Sequence, residues 1–215
     1  MARDVPQPSM SNDTQHPGID SLWGVVQRIA AAGALAALSP ALGVIAIAIK
    51  LESKGPVVFR QKRPGQGGRT IEALKFRSMR VGSEAKTKLG VAVGDPRITK
   101  VGRFLRATKL DELPQLWNIV RGDMRFVGPR PIPFALDEEL RNKIPGFEQR
   151  YAVEPGLTSL AQVCVVDNGL DDRLVEDWSL RFEAERRYIR NRCVVYDLIV
   201  IGLTSLYVAR KVVAR

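Results

Sequence analysis

Asp111 and Glu112 stand side by side in a stretch, Arg106 to Pro131, that also holds Arg121 and a Gly128-Pro129-Arg130-Pro131 turn. A carboxylate can attack phosphorus, accept a proton or ligate a divalent cation, and neighbouring cations can neutralise phosphate oxygens. Lys75, Arg77, Arg106, Arg121 and Arg130 supply enough positive charge for a diphosphate, so the stretch reads as a phosphate-handling site with Mg²⁺ as the natural metal for carboxylate-plus-phosphate ligation. Thr108 to Leu113 interrupt the helical pattern before them. Pro114 is best tolerated in a first turn, which places a helix from Leu113 to Val120, closed by Gly122, with the two acids at its N-terminus. A purely structural reading makes them caps of that helix. On a regular helix adjacent side chains diverge by about 100°, which suits two separate roles better than one shared proton.

Other chemistry has little to work with. The only histidine, His16, lies in a polar N-terminal segment, which argues against Ser-His-Asp, Cys-His and His-based zinc sites. Cys164 and Cys193 show no metal spacing and read as reduced, buried thiols. Thirty-three Lys and Arg against 23 Asp and Glu give a charge of +10, which suits phosphorylated ligands, nucleic acid or anionic lipid alike.

The element that must bring this site to its substrate is apolar. Residues 1–18 are too polar to order and read as a disordered tail, after which the chain is uncharged from Ile29 to Ile49 and broken in the middle by Ser39-Pro40. About 20 apolar residues suffice to span a bilayer core, so one transmembrane helix is the simplest reading. Pro40 removes a backbone donor where an unpaired carbonyl is expensive, and Ser39 can bond the carbonyl it frees. Arg28 precedes the run, and Lys50, Lys54, Arg60, Lys62 and Arg63 follow it. Basic flanks prefer one face, so a kinked, re-entrant helix over 19–50 satisfies both ends where a spanning helix satisfies one.

Val57-Phe59 and Thr70-Phe76 read as a hairpin around a Pro64-Gly68 turn; no Gly-Lys-Ser/Thr follows to make it a phosphate loop. Residues 97–107 and 171–192 have amphipathic helical spacing. Val194 to Val213 is apolar with Asp197 inside and a basic end, which favours a helix at the interface or packed on the domain over a second span.

Several of these segments together resemble the monotopic phosphoglycosyl transferases, the bacterial sugar transferases. They are Ser39-Pro40, Lys75-Phe76-Arg77-Ser78-Met79, the run Asp95 to Arg106, Leu110-Asp111-Glu112-Leu113-Pro114-Gln115-Leu116, Gly122-Asp123-Met124, Gly128-Pro129-Arg130-Pro131 and Pro155-Gly156-Leu157-Thr158, in the family's order. The resemblance implies transfer of a sugar phosphate from a UDP-sugar to undecaprenyl phosphate at the cytoplasmic face of the inner membrane. It also implies a covalent phosphosugar on Asp111 with release of UMP, Glu112 as base, and Mg²⁺ bridging Asp111 and the diphosphate. Lys75, Arg77 and Arg106 then serve the phosphates, and Pro129 and Arg130 the nucleotide. The expected architecture is α/β of a mostly helical kind: a re-entrant helix, a small hairpin and interfacial helices in a catalytic domain over 51–215. A homodimer is compatible with it.

The chain departs from the family at Ser159 to Val166, where Val166 replaces an arginine, and at Glu185, where the family tends to carry Asp. Two other readings compete. A nucleic-acid binder fits the charge but not the apolar run. A non-catalytic basic membrane scaffold would use the flanks for lipid alone and leave Asp111 and Glu112 as caps.

Overall fold

A computed structural model describes residues 17–82, 95–164 and 174–213. Its order is α1 (Pro17–Glu52), β1 (Val58–Pro64), β2 (Thr70–Phe76), α2 (Lys100–Thr108), α3 (Gln115–Arg121), β3 (Arg125–Val127), α4 (Phe134–Lys143), β4 (Gly156–Thr158), α5 (Leu160–Cys164), α6 (Leu174–Asn191) and α7 (Val194–Val213). The mostly helical composition and the small hairpin are as expected. Of the tail expected over 1–18, residues 1–16 lie outside the described residues, as do the altered positions Val165 and Val166, while Pro17 and Gly18 already belong to α1.

In α1 the helix runs unbroken through Pro40. Proline removes the donor that would bond Ala36, and the Ser39 hydroxyl donates to that same carbonyl at 2.8 Å. Among the described residues this is the one helix long and apolar enough to cross a membrane, and little of it is buried by protein. What is covered is a single stripe. Gln27 and Ala31 are buried, Ala34 and Leu35 pack with Leu116 and Ile119, and Leu42, Ile45 and Ile49 pack with Phe76 and Leu105. The three- and four-residue spacing of these positions is one helical face, so α1 lies along the rest of the described chain from its first third to its last turn.

β1 and β2 pair antiparallel from Val58 opposite Phe76 to Pro64 opposite Thr70. The first strand therefore continues past Phe59 into the stretch expected as loop, and only the turn Gln66–Gly68 remains, with Gly67 and Gly68 at positive φ. A second, parallel pair joins β3 to β4, Arg125 opposite Gly156 and Val127 opposite Thr158. The backbones meet closely there: a side chain on Gly156 would lie 2.1 Å from the Gly128 nitrogen.

Two buried groups hold the helices around these strands. Ile132, Leu136, Leu140, Ile144, Phe147 and Phe182 pack α4 on α6, while Val127, Val153, Tyr188, Ile189 and Val200 pack α6 and α7 over β3. Helix α7 packs on the body along one face. Its Asp197 is buried and accepts from Trp23 Nε1 and Tyr188 Oη, both at 2.7 Å, while Val195, Leu198, Ile199, Leu203 and Leu206 remain exposed. Cys164 and Cys193 are exposed rather than buried, the first at the end of α5 and the second between α6 and α7.

Candidate active site

Strand alternation puts Ile71, Ala73 and Lys75 on one face of β2. Ile71 packs on Leu116 and Ile119 of α3, so Lys75 reaches toward the residues that precede α3. Asn118 fixes that packing: its Oδ1 accepts from Leu74 N at 3.0 Å and its Nδ2 donates to Glu72 O at 2.6 Å. Asp111 and Glu112 do not sit in the first turn of α3. They form a separate 3₁₀ turn, Leu110–Glu112, entered through Lys109 in the left-handed conformation (φ 61°), and α3 begins at Gln115. Leu113 and Pro114 are both helical in backbone angle, but Pro114 has no N–H to bond back to Leu110 or Asp111, and this gap in the hydrogen-bond ladder separates the turn from the helix.

Neither acid caps a helix. Both are 8% exposed, and the turn and α3 have no side-chain cap. Glu112 Oε1 accepts from Lys75 Nζ at 2.9 Å and from Arg130 Nη2, and its Oε2 accepts from Arg130 Nη1 at 3.3 Å. Asp111 makes no side-chain hydrogen bond or ion pair among the described residues. Burial pushes the Asp111 carboxyl up, the Glu112 charge adds to that, and Lys75, Lys109 and Arg106 oppose it. Burial acts upward on Glu112 too, but Arg130 and Lys75 overcome it and hold the carboxyl well below the usual range. The Lys75 ammonium is pulled down to about 8 by burial, helped by Arg130 and Arg63 and resisted by Glu112.

The Pro129-Arg130-Pro131 turn is clamped from behind. Arg130 N donates to Glu185 Oε1 at 3.0 Å, Arg150 Nη2 donates to Arg130 O at 2.6 Å, and Arg63 donates to Pro131 O. Arg150 and Glu185 form a buried pair at 3.1 Å, so the guanidinium of Arg130 leaves a fixed backbone. Sequence reasoning did not find the Arg63 and Arg150 clamps, and nothing in their spacing could have marked them. Arg106 is half-buried and close enough to bear on Asp111. Arg77 is engaged elsewhere. Its guanidinium donates to Ser53 O at 2.6 Å, Ser53 Oγ at 2.9 Å and Ile49 O at 3.3 Å, closing the C-terminal end of α1 instead of facing the acids.

A cleft of about 390 Å³ opens beside Glu112 and Arg130 and runs between β4, α5, α6 and α7. For a metal, the described residues offer no cluster of three or more His, Cys, Asp or Glu. The donor set fits a cation that takes one or two carboxylates and completes its shell with phosphate and water, as Mg²⁺ does, with Asp111 offering the uncommitted oxygens.

Residues 16–211 match the family model described as bacterial sugar transferase. The chain is similar to the UDP-glucose:undecaprenyl-phosphate glucose-1-phosphate transferase of Escherichia coli K12, 42% identical over 195 residues, 89% of this chain and 41% of that protein. The Caulobacter vibrioides protein of the same name is 42% identical over 85% of this chain and 68% of its own length. The UDP-N-acetylgalactosamine-undecaprenyl-phosphate N-acetylgalactosaminephosphotransferase of Aeromonas hydrophila is 37% identical over 82% of this chain and 41% of its own. The chain thus spans well under half of two of these three relatives.

Proposed function

The chain belongs to the bacterial sugar transferase family, and from that premise we propose that it moves a sugar 1-phosphate from a UDP-sugar to undecaprenyl phosphate, giving a polyprenyl-diphosphate-sugar and UMP. The observation that carries the reading is the contrast within the acid pair: Asp111 is buried and uncommitted, while Glu112 beside it is tied to Lys75 and Arg130. In the first half-reaction an Asp111 oxygen attacks the β-phosphorus, the bond from that phosphorus to the bridging oxygen breaks, and UMP leaves. In the second, an oxygen of the lipid phosphate attacks the same phosphorus and the Asp111 carboxylate is released.

Lys75, Arg106 and Arg130 are the cations that neutralise the diphosphate in this reading, with Pro129 serving the nucleotide. Arg77 supports the membrane helix. Glu112 is held too low to be a strong base, and a phosphate monoester with a second pKa of about 6 needs little help at neutral pH. Glu112 therefore serves as the fixed anion that sets Lys75 and Arg130. Mg²⁺, held by Asp111 and the substrate, would supply charge neutralisation on the diphosphate.

The same reading makes α1 a re-entrant helix that bends at Ser39-Pro40 while staying helical, and sets the catalytic domain over 51–215 at the cytoplasmic face of the inner membrane. The stripe of α1 contacts from Gln27 to Ile49 supports it, since a helix leaving the body to cross the bilayer would uncover them.

UMP release from UDP-glucose, UDP-N-acetylgalactosamine and related donors, with Mg²⁺ and undecaprenyl phosphate in nanodiscs, tests the proposal. Asp111→Asn is expected to lower release by at least about 10³-fold while leaving membrane association unchanged. Release retained in that variant removes Asp111 as nucleophile, and no release from wild type with any donor would favour a basic membrane scaffold.

A further inference from the structure

The cleft beside the acid pair has two ends of different chemistry. Near Glu112 it is lined by the cations Lys109, Arg130 and Arg181. Away from them its walls are mainly Leu113, Phe126, Leu157, Ile201 and Val208, with Gln162 and Tyr207 as polar neighbours. The hydroxyls on the β4 and α7 side are already committed. Thr204 Oγ1 donates to Val200 O at 2.8 Å and so accepts from Thr158 Oγ1 at 2.6 Å, and Ser205 Oγ donates to Ile201 O at 2.9 Å. With those protons spent, Thr158, Thr204 and Ser205 have no hydroxyl donor left for a ligand, and apolar side chains make up most of that wall.

The other flank of the same helix presents Val195, Leu198, Ile199, Leu203 and Leu206 to the outside, and no charge interrupts α7 between Asp197 and Arg210. An apolar chain leaving the cleft along α7 therefore passes onto a surface that a bilayer can cover. An occupant with an anionic head and a hydrocarbon tail matches both ends at once.

Resting on the transferase reading, we infer that this cleft seats the first isoprenoid units of the lipid acceptor, its phosphate toward Lys109, Arg130 and Arg181. Ile201, Ser205 and Val208 on α7 then select for the lipid.

The test is two-substrate kinetics on the full chain in nanodiscs, varying undecaprenyl phosphate and the UDP-sugar in turn. Ser205→Trp fills the cleft; Val208→Thr adds a hydroxyl to its wall without changing volume and so keeps the test alive if the first variant misfolds. The expected result is a KM for the lipid raised about tenfold by Ser205→Trp and several-fold by Val208→Thr, with the donor KM within about twofold of wild type. A rise in donor KM with the lipid KM unchanged would make the cleft the nucleoside's and overturn the inference, while leaving the transferase reading in place. Unchanged constants for both substrates also overturn it. A wild type that turns over no UDP-sugar removes the transferase reading, and this inference falls with it.

Discussion

Lys75 ties the chemistry of the site to pH. Burial brings its ammonium down to about 8, so above that pH the free enzyme loses one of the two cations on Glu112 and one of those meant for the donor diphosphate. kcat/KM for the UDP-sugar is therefore expected to fall roughly tenfold per pH unit above about 8, and Lys75→Arg to carry the plateau higher. A limb that stays in place in Lys75→Arg would assign the titration to another group. Stability has the opposite sign. The unfolded lysine titrates near 10.5, so between about 8 and that value the folded chain binds fewer protons than the unfolded one, and the Lys75 contribution to stability grows as pH rises. Activity lost without loss of Tm thus separates deprotonation from unfolding. At this scale Asp111, Glu112, Lys75 and Arg130 were legible because adjacent acids among cations suggest phosphate chemistry wherever they fold. The role of Arg77 was not: it follows Lys75 by two residues, but β2 ends at Phe76 and the side chain turns to the carbonyls of α1. The Arg150–Glu185 pair behind Arg130 joins residues 35 apart in sequence, with no local pattern to announce it.

Between elements, Asn118 acts as a strand neighbour from within a helix. It is fully buried and satisfies one N–H and one C=O of β2, which keeps the Lys75 strand in register with the Glu112 turn. Asn118→Ala leaves both backbone groups unpaired in the interior and is expected to cost about 3 kcal/mol, measured by denaturation in detergent, with kcat falling as Lys75 drifts from Glu112. A loss below about 0.5 kcal/mol would mean that water replaces the amide. The hairpin and helices α2, α6 and α7 could be read from period and punctuation. The β3–β4 pair could not, since three residues a side are too few to show a period, and its signal is two glycines, Gly128 and Gly156, whose backbones touch. The acid-bearing turn was displaced for a local reason as well: Pro114 precedes α3 but supplies no N–H to link it to Leu110 and Asp111, so the turn before it closes on its own.

For the whole molecule, the decisive fact is that α1 is attached to one body at both ends. Near its start Asp20 pairs with Arg125 at 2.7 Å and Arg192 at 2.9 Å, Trp23 donates to Asp197, and Gln27 accepts from Phe126 N at 2.9 Å. At its end Arg77 holds the Ile49 and Ser53 carbonyls, and Glu52 accepts from Lys100 N and Val101 N at 2.5 and 2.8 Å, capping α2 on the way to Asp111. A straight helix of 36 residues is about 54 Å long, more than enough for a hydrocarbon core of about 30 Å. Length alone therefore permits crossing. The attachments argue against it, because a crossing helix would carry one set of partners to the far side and part Asp20 from Arg125 and Arg192, or Arg77 from the carbonyls at the end of α1. Both flanks are accordingly expected on the same side. With the exposed Cys164 and Cys193 replaced by serine, Gly18→Cys and Lys54→Cys should both react with an impermeant maleimide in inside-out inner-membrane vesicles, and neither in right-side-out ones until detergent is added. Labelling of the two positions from opposite sides would mean that the helix spans, and that the ion pairs at one of its ends are not made in the membrane.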